Sequence, residues 1–334
     1  MDTRAHNSTV RVMTYNIRMD TPEDGSNQWS NRRDRVFRLI QRYHPDLFGV
    51  QEALPHQLSD LQSALPTYEW YGVGRDDGIS NGEFSAIFYR RDIFHLQRQG
   101  TFWLSETPDT PGSKGWDAAL PRICTWVILR DRRSGQSIAH FNTHLDHVGK
   151  TARREGARLI ASRIRELTGL AMPTILTGDF NTDPQSDAYR TIVAESSLQD
   201  AKQITKTPHR GPDGTWSTFH TWRRIGQRLD YIFVSPQHIQ VLNHQHSTFS
   251  EQFRYPSDHL PVIATLALQR PTPKRRKPKK QMMFTAVPHL LLPPTYHHHR
   301  HHYHHPHSHY PHSSQRSHFY FPSPSHIFAY RSRY

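Results

Sequence analysis

The chain of 334 residues has a single cysteine, Cys124, so no disulfide can form within it. Cys124 lies in the apolar run 123–129 and reads as a small core residue. No stretch approaches the ~18 consecutive apolar residues of a spanning helix, which argues against membrane insertion. Residues 1–9 are polar and lack the apolar centre of a secretory signal. An intracellular protein, cytoplasmic or nuclear, is the expectation. Acidic residues are missing from position 271 onward, where ten Lys and Arg stand unopposed. Without those ten, 32 basic residues face 29 acidic ones, a net charge of only about +3 over residues 1–270. The high pI therefore belongs to the C-terminal stretch, and a long basic footprint for duplex nucleic acid is absent from the rest.

Short apolar runs alternate with helical patterns. Residues 10–15, 47–51, 85–90, 123–129, 137–142, 174–176, 231–234 and 262–268 are rich in β-branched and aromatic side chains and predict strands. Val36, Leu39, Ile40 and Tyr43 mark one helical face, ended by Pro45. Leu58, Leu61 and Leu65 mark a second helix, entered through Pro55. Leu159, Ile160, Ile164 and Leu167 mark a third, with Gly169 as its C-cap, and Ala188, Ile192 and Val193 a fourth. Several strands follow one another with no helix between, which favours packed sheets with helices outside over one parallel doubly wound sheet. The expected organisation is a flexible N-terminus (1–9), a catalytic domain (10–270) and a disordered basic, His-rich tail (271–334), the last set off by Pro271, Pro273 and Pro278.

What carries chemistry here is the polar residues at the ends of apolar strands. They occur as Thr14-Tyr15-Asn16, Gly49-Val50-Gln51-Glu52, Asn142-Thr143-His144, Gly178-Asp179-Phe180-Asn181, Arg228-Leu229-Asp230 and Ser257-Asp258-His259. Carboxylates and amides without cysteine suit a hard cation, Mg²⁺ with Mn²⁺ as the alternative. Imidazole beside such a cation can donate to a developing oxyanion, and a spare carboxylate can activate water. That is the inventory for phosphate-ester hydrolysis. One strand-terminal Asp alone is usually a turn residue; the ordered set is the signal.

In that order MTYNI, GVQE, NTHL, TGDFN, RLDYIFVS and SDHLPV resemble the signatures of the endonuclease/exonuclease/phosphatase (DNase I-like) superfamily, over roughly residues 10–268. The resemblance implies an α/β fold, a four-layer α/β/β/α sandwich of two packed mixed β-sheets flanked by helices. It implies Glu52 as metal ligand with Asn16 beside it, and Asp258 supporting the metal or the phosphate-binding histidine. Asp179 would take the proton of the attacking water, which Asn181 orients. His259, held by Asp230, would stabilise the scissile phosphate. His144, paired with Glu83, would contact the phosphate and assist the leaving group. Arg122 and His220 are further candidates for substrate contact, Arg122 being as well read as a surface ion pair. Phe180 between Asp179 and Asn181 brings the chain nearest to the deadenylase-like and uncharacterised microbial members. Trp103, Trp116, Trp126 and Trp216 could stack bases, with packing as the default for each.

The implied function is Mg²⁺-dependent hydrolysis of a phosphodiester or phosphomonoester, with a nuclease-like substrate slightly favoured. A small-molecule phosphatase acting on an inositol, nucleotide or lipid phosphate is the first alternative, and a catalytically silent phosphate- or nucleic-acid-binding module the second. In the tail, six basic residues in the seven from Lys274 to Lys280 could bind anions or direct the chain to the nucleus. Ten histidines within residues 296–312 could bind transition metals.

Overall fold

The computed structural model describes residues 8–269. The expectations for residues 1–7, for the basic run and for the histidine-rich stretch lie outside them.

Two six-stranded sheets pack face to face. The first has the order β11 (Ile239–His246), β12 (Val262–Leu268), β1 (Thr9–Asn16), β2 (Leu47–Gln51), β4 (Ile87–Arg90), β3 (Tyr68–Tyr71). The second has the order β5 (Phe94–Trp103), β6 (Ile123–Asp131), β7 (Ser137–His144), β8 (Thr174–Asp179), β10 (Asp230–Val234), β9 (Gln199–Asp200). Within each, a central parallel pair, β1 with β2 and β7 with β8, is flanked by antiparallel neighbours. Helices α1 (Trp29–Tyr43) and α2 (Pro55–Ala64) pack on the first sheet. Helices α3 (Lys150–Thr168) and α4 (Asp187–Glu195) pack on the second, and a single turn, α5 (Ala201–Ile204), follows β9. The four layers are those expected.

Strand alternation sorts the residues into three cores. Val10, Val12, Leu47, Ile138, Ile175, Ile232 and Val262 meet between the sheets. Met13, Tyr15, Phe48 and Val50 turn to α1 and α2. Phe141, Leu176, Tyr231 and Phe233 turn to α3 and α4. By the same period of two, Asn16, Gln51, His144, Asp179 and Asp230 lie on the inter-sheet faces, each as the last or first residue of its strand. Alternation that builds an apolar core in mid-strand thus delivers polar side chains to one end of it.

The helices end where the chain chemistry dictates. His44 adopts the left-handed conformation (φ 43°) just before Pro45, and Gly169 does so (φ 56°) after α3. Ser186 caps α4 by accepting from the Tyr189 amide at 3.2 Å. Val193, expected on the apolar face of α4, is instead 40% exposed. Strand 174–176 continues to Asp179, and β7 continues to His144.

Candidate active site

Behind the strand ends, a buried polar layer joins the sheets. Gln51 Nε2 donates to Thr14 Oγ1 (3.0 Å) and Asn142 Oδ1 (2.7 Å). Asn142 Nδ2 donates to the carbonyls of Val50 (2.9 Å) and Ala86 (3.1 Å). Thr177 donates to Asn142 Oδ1 at 2.9 Å. Asn142 can approach this closely because residue 49 is glycine; a Cβ there would stand 2.3 Å from Asn142 Oδ1.

In front of this layer the site residues converge on Asp179, which is almost wholly buried. Asn16 Nδ2 donates to Glu52 Oε1 (2.8 Å) and Asp179 Oδ2 (2.9 Å), while its oxygen accepts from the Arg18 amide (3.0 Å). Asn16 is thus a bridge between two carboxylates. Asn181 donates its backbone N–H to Asp179 Oδ1 (2.8 Å) and its side-chain amide to His144 Nε2 (2.9 Å). Glu52 and Asn181, just beyond the ends of β2 and β8, both have positive φ (62° and 48°), a costly conformation for non-glycine residues. His259 Nδ1 pairs with Asp230 Oδ2 at 2.8 Å, and its Nε2 lies 3.7 Å from Asp179 Oδ2. His144 Nε2 lies 3.6 Å from that same oxygen.

The expected Glu83–His144 pair is looser. Glu83 Oε2 is 3.7 Å from His144 Nδ1 and is held by Arg75 at 2.7 Å. Arg122 is buried, in a 3.3 Å pair with Asp146, and its Nη1 has no partner. It is therefore not a surface ion pair. His220 stacks its ring on Trp222, with centroids 4.4 Å apart. Asp258 is half-buried and hydrogen-bonded by Ser257 Oγ at 3.3 Å. Of the tryptophans, Trp103 is packed inside with its N–H on the Arg75 carbonyl (2.6 Å), whereas Trp216 is 45% exposed and pairs its backbone with His259.

Three residues of the site escaped the sequence reading. Arg75 and Asp146 hold Glu83 and Arg122; their only signals were a polar loop, Gly74-Arg75-Asp76-Asp77-Gly78, and a position two beyond His144. Arg32 sits fully buried in α1 and donates to the carbonyls of Ile17 (2.5 Å), Arg18 (2.6 Å) and Pro256 (3.2 Å). It ties the end of β1 to the loop carrying Asp258 and His259. No local pattern distinguishes it from the solvated arginines of the same helix.

The electrostatics follow from crowding in a dry place. Burial and the charge of Asp230 push Asp179 up to about 7. Burial, with Glu52 nearby, raises Asp258, and the same two causes raise Glu83. Burial opposes a charge on His259, but Asp230 and Asp179 outweigh it and hold its pKa well above the ordinary value. Burial, aided by Arg122 and Arg75, drives His144 well below its ordinary value, so it is neutral. An amide N–H can only donate, so His144 Nε2 is the acceptor of Asn181 and the ring proton sits on Nδ1.

Two groups able to hold a metal share Asp179: Glu52–His144–Asp179 and Asp179–Asp230–His259, each with one donor atom per residue within 4.8 Å of the others. The donors fit a hard cation. The fit lies in their carboxylates: the charge of Asp230 raises Asp179, and Asp230 Oδ1 is buried without a partner.

A carboxylate-and-imidazole cluster at the open strand ends of an α/β/β/α sandwich is the inventory that hydrolysis of a phosphate ester requires. The chain belongs to the Endonuclease/Exonuclease/phosphatase family, whose profile matches residues 13–259. A solved family protein from Bacteroides thetaiotaomicron is 39% identical, with a TM-score of 0.75 over 79% of this chain and 100% of that one. A second structure from that organism, a mannosyl-6-phosphatase, is 41% identical, with a TM-score of 0.74 over 77% of this chain and 99% of its own. Nocturnin of Drosophila melanogaster is 26% identical over 321 residues, 79% of this chain and 47% of that protein. The chain spans under half the length of the first curated relatives it matches.

Proposed function

We propose that this protein is a metal-dependent hydrolase that removes phosphate from a small, polar phosphomonoester. The observation that carries the reading is the convergence of Glu52, Asn16, Asn181, His144 and His259 on the single buried carboxylate Asp179.

Glu52, with Asp258 and the Asn16 bridge beside it, would hold Mg²⁺ or Mn²⁺, which supplies positive charge to a phosphoryl oxygen and eases ionisation of water. Asp179 accepts the proton of the attacking water, and a carboxylate with its pKa near neutrality is suited to that transfer. Asn181 positions the groups around it through its two donors. His259, charged and clamped by Asp230, donates from Nε2 to the phosphoryl oxygen on which charge grows. His144 is a neutral donor through Nδ1. A bound phosphate's negative charge raises its basicity and readies it to assist the leaving oxygen.

The substrate reading rests on the wall beside Asn181. There a cavity of about 450 Å³ is lined by Lys150, Arg153 and Arg190 together with Asp183 and Asp187. Mixed charge in a compact pocket suits a hydroxyl-rich group better than a polyanion. A mannosyl-6-phosphatase at 41% identity supports a sugar phosphate. A second reading, a nucleotide or single-stranded nucleic acid, is favoured by Trp216, which pairs its backbone with His259 and is 45% exposed, so that its ring could stack a base. The silent binding module is disfavoured, because every position the chemistry needs carries a competent side chain.

The test is phosphate release by the full chain from mannose 6-phosphate, p-nitrophenyl phosphate, bis(p-nitrophenyl) phosphate and a short single-stranded RNA, in Mg²⁺ and in EDTA. The sugar phosphate should turn over fastest. The activity should vanish in EDTA and fall by about 10²–10⁴ in Asp179→Ala. Preferred cleavage of RNA would select the second reading. Silence on all four would select the binding module.

A further inference from the structure

A second cluster of metal-binding character lies apart from the catalytic residues. His244 and His246 alternate on β11, on the same face as the inter-sheet residues Ala264 and Val262 opposite them. The loop after α5 runs alongside: Arg210 N–H donates to His244 O (3.2 Å), and His246 N–H donates to Arg210 O (2.9 Å). Gly211, at φ +98°, then turns the loop so closely that a Cβ would meet His246 O at 2.1 Å. This pairing sets His209 against both strand histidines, with ring centroids 5.1 and 4.5 Å away. One ring nitrogen from each of the three lies within 4.8 Å of the others.

The hydrogen bonds fix which nitrogens are free. Carbonyls only accept, so His246 Nδ1, 2.8 Å from Pro212 O, carries the proton. Its Nε2 is then a bare lone pair, and it is buried without a partner in a residue only 2% exposed. His209 Nε2 faces the same carbonyl at 3.2 Å and is likewise the protonated nitrogen. His209 Nδ1 therefore presents its lone pair to His244 Nδ1, 2.9 Å away. An acceptor buried with nothing to accept costs stability, and here it belongs to the side chain that most often ligates metals.

We propose that His209, His244 and His246 bind one transition-metal ion of the zinc class, which clamps the loop to β11. The ion takes the place of the proton between the two Nδ1 atoms. His244 moves that proton to its Nε2, all three imidazoles stay neutral, and His246 contributes Nε2. Three imidazoles leave a fourth position for water or a carboxylate. Burial lowers all three, His244 to about 2 and His246 to about 3, so no proton competes with the metal at neutral pH. The loop continues to Thr215, whose hydroxyl accepts the N–H groups of Leu229 (2.9 Å) and Asp230 (3.2 Å). The clamp therefore steadies the partner of His259 without touching the reacting groups.

The experiment follows thermal unfolding of the full chain in saturating Mg²⁺, with and without Zn²⁺. A ligand that binds only the folded state raises Tm, and the variants below separate zinc bound by His209, His244 and His246 from zinc bound elsewhere in the chain. Wild type should gain about 5 °C or more at zinc well above its Kd. His209→Gln, a half-buried loop position, should abolish the gain, and so should His246→Gln. No gain in wild type, or an undiminished gain in folded His209→Gln, overturns the proposal. His209→Gln decides even if the buried His246 variant does not fold.

Discussion

Asp179 stands between two imidazoles in opposite states of charge, His144 neutral and His259 cationic, at 3.6 and 3.7 Å. Their environments separate them: arginines flank His144, and carboxylates flank His259. A histidine held charged beside a developing oxyanion contributes to the transition state far more than to substrate binding. His259→Ala should accordingly lower kcat by about 10²–10³ with KM little changed, read from saturation curves on the preferred substrate. A change confined to KM would remove His259 from the chemistry. At this scale the sequence was largely legible. Every carboxylate, amide and imidazole brought to Asp179 had been named from the ordered strand ends. The residues that hold them were not: Arg75, Asp146 and Arg32 act through contacts 8, 24 and 224 positions away in the chain, on Glu83, Arg122 and the Pro256 carbonyl. No short-range pattern carries such contacts.

At the scale of elements, the strands missed from sequence share one property. β3, β5, β9 and β11 are the four edges of the two sheets. An edge strand is paired on one side only, needs no continuous apolar run, and is kept polar against pairing with another chain. β5 carries His95, Gln97, Arg98 and Gln99, and a register shift between Leu96 and Arg98 breaks its alternation. β11 carries two histidines and an irregularity between Val241 and Asn243. The eight strands read from the sequence are the interior ones, buried on both faces. Their ends hold the site because the polar layer behind locks the two sheets in register, and Gly49 is its tightest point. Gly49→Ala would drive a methyl into Asn142 Oδ1. It should cost about 1–3 kcal/mol in urea unfolding and reduce kcat through the displaced Gln51–Glu52 segment. Unchanged stability would mean that Asn142 moves aside freely and the layer does not set the register.

Across the molecule, histidines buried as neutral rings make the fold sensitive to acid independently of catalysis. His140 lies between the sheets with one nitrogen 2.8 Å from Thr177 Oγ1 and the other without a partner. Burial lowers it to about 3, against an ordinary value near 6.5. Between those values the unfolded chain binds a proton that the native chain refuses. The stability His140 allows is thus complete above pH ~6.5 and drains away as the pH falls towards 3. Asp179 works in the opposite sense over part of that range. Its raised pKa means that the native state holds the extra proton, and its contribution is lost as the pH rises through about 7. The two can be separated by comparing wild type with His140→Gln, which leaves Asp179 in place. From pH 7.5 to 5.5 the wild type should lose about 1.4 kcal/mol more than the variant in denaturant unfolding, one pH unit below the unfolded pKa. Parallel curves for the two proteins would show that His140 accepts its proton in the folded state, and that the interior between the sheets is open to water.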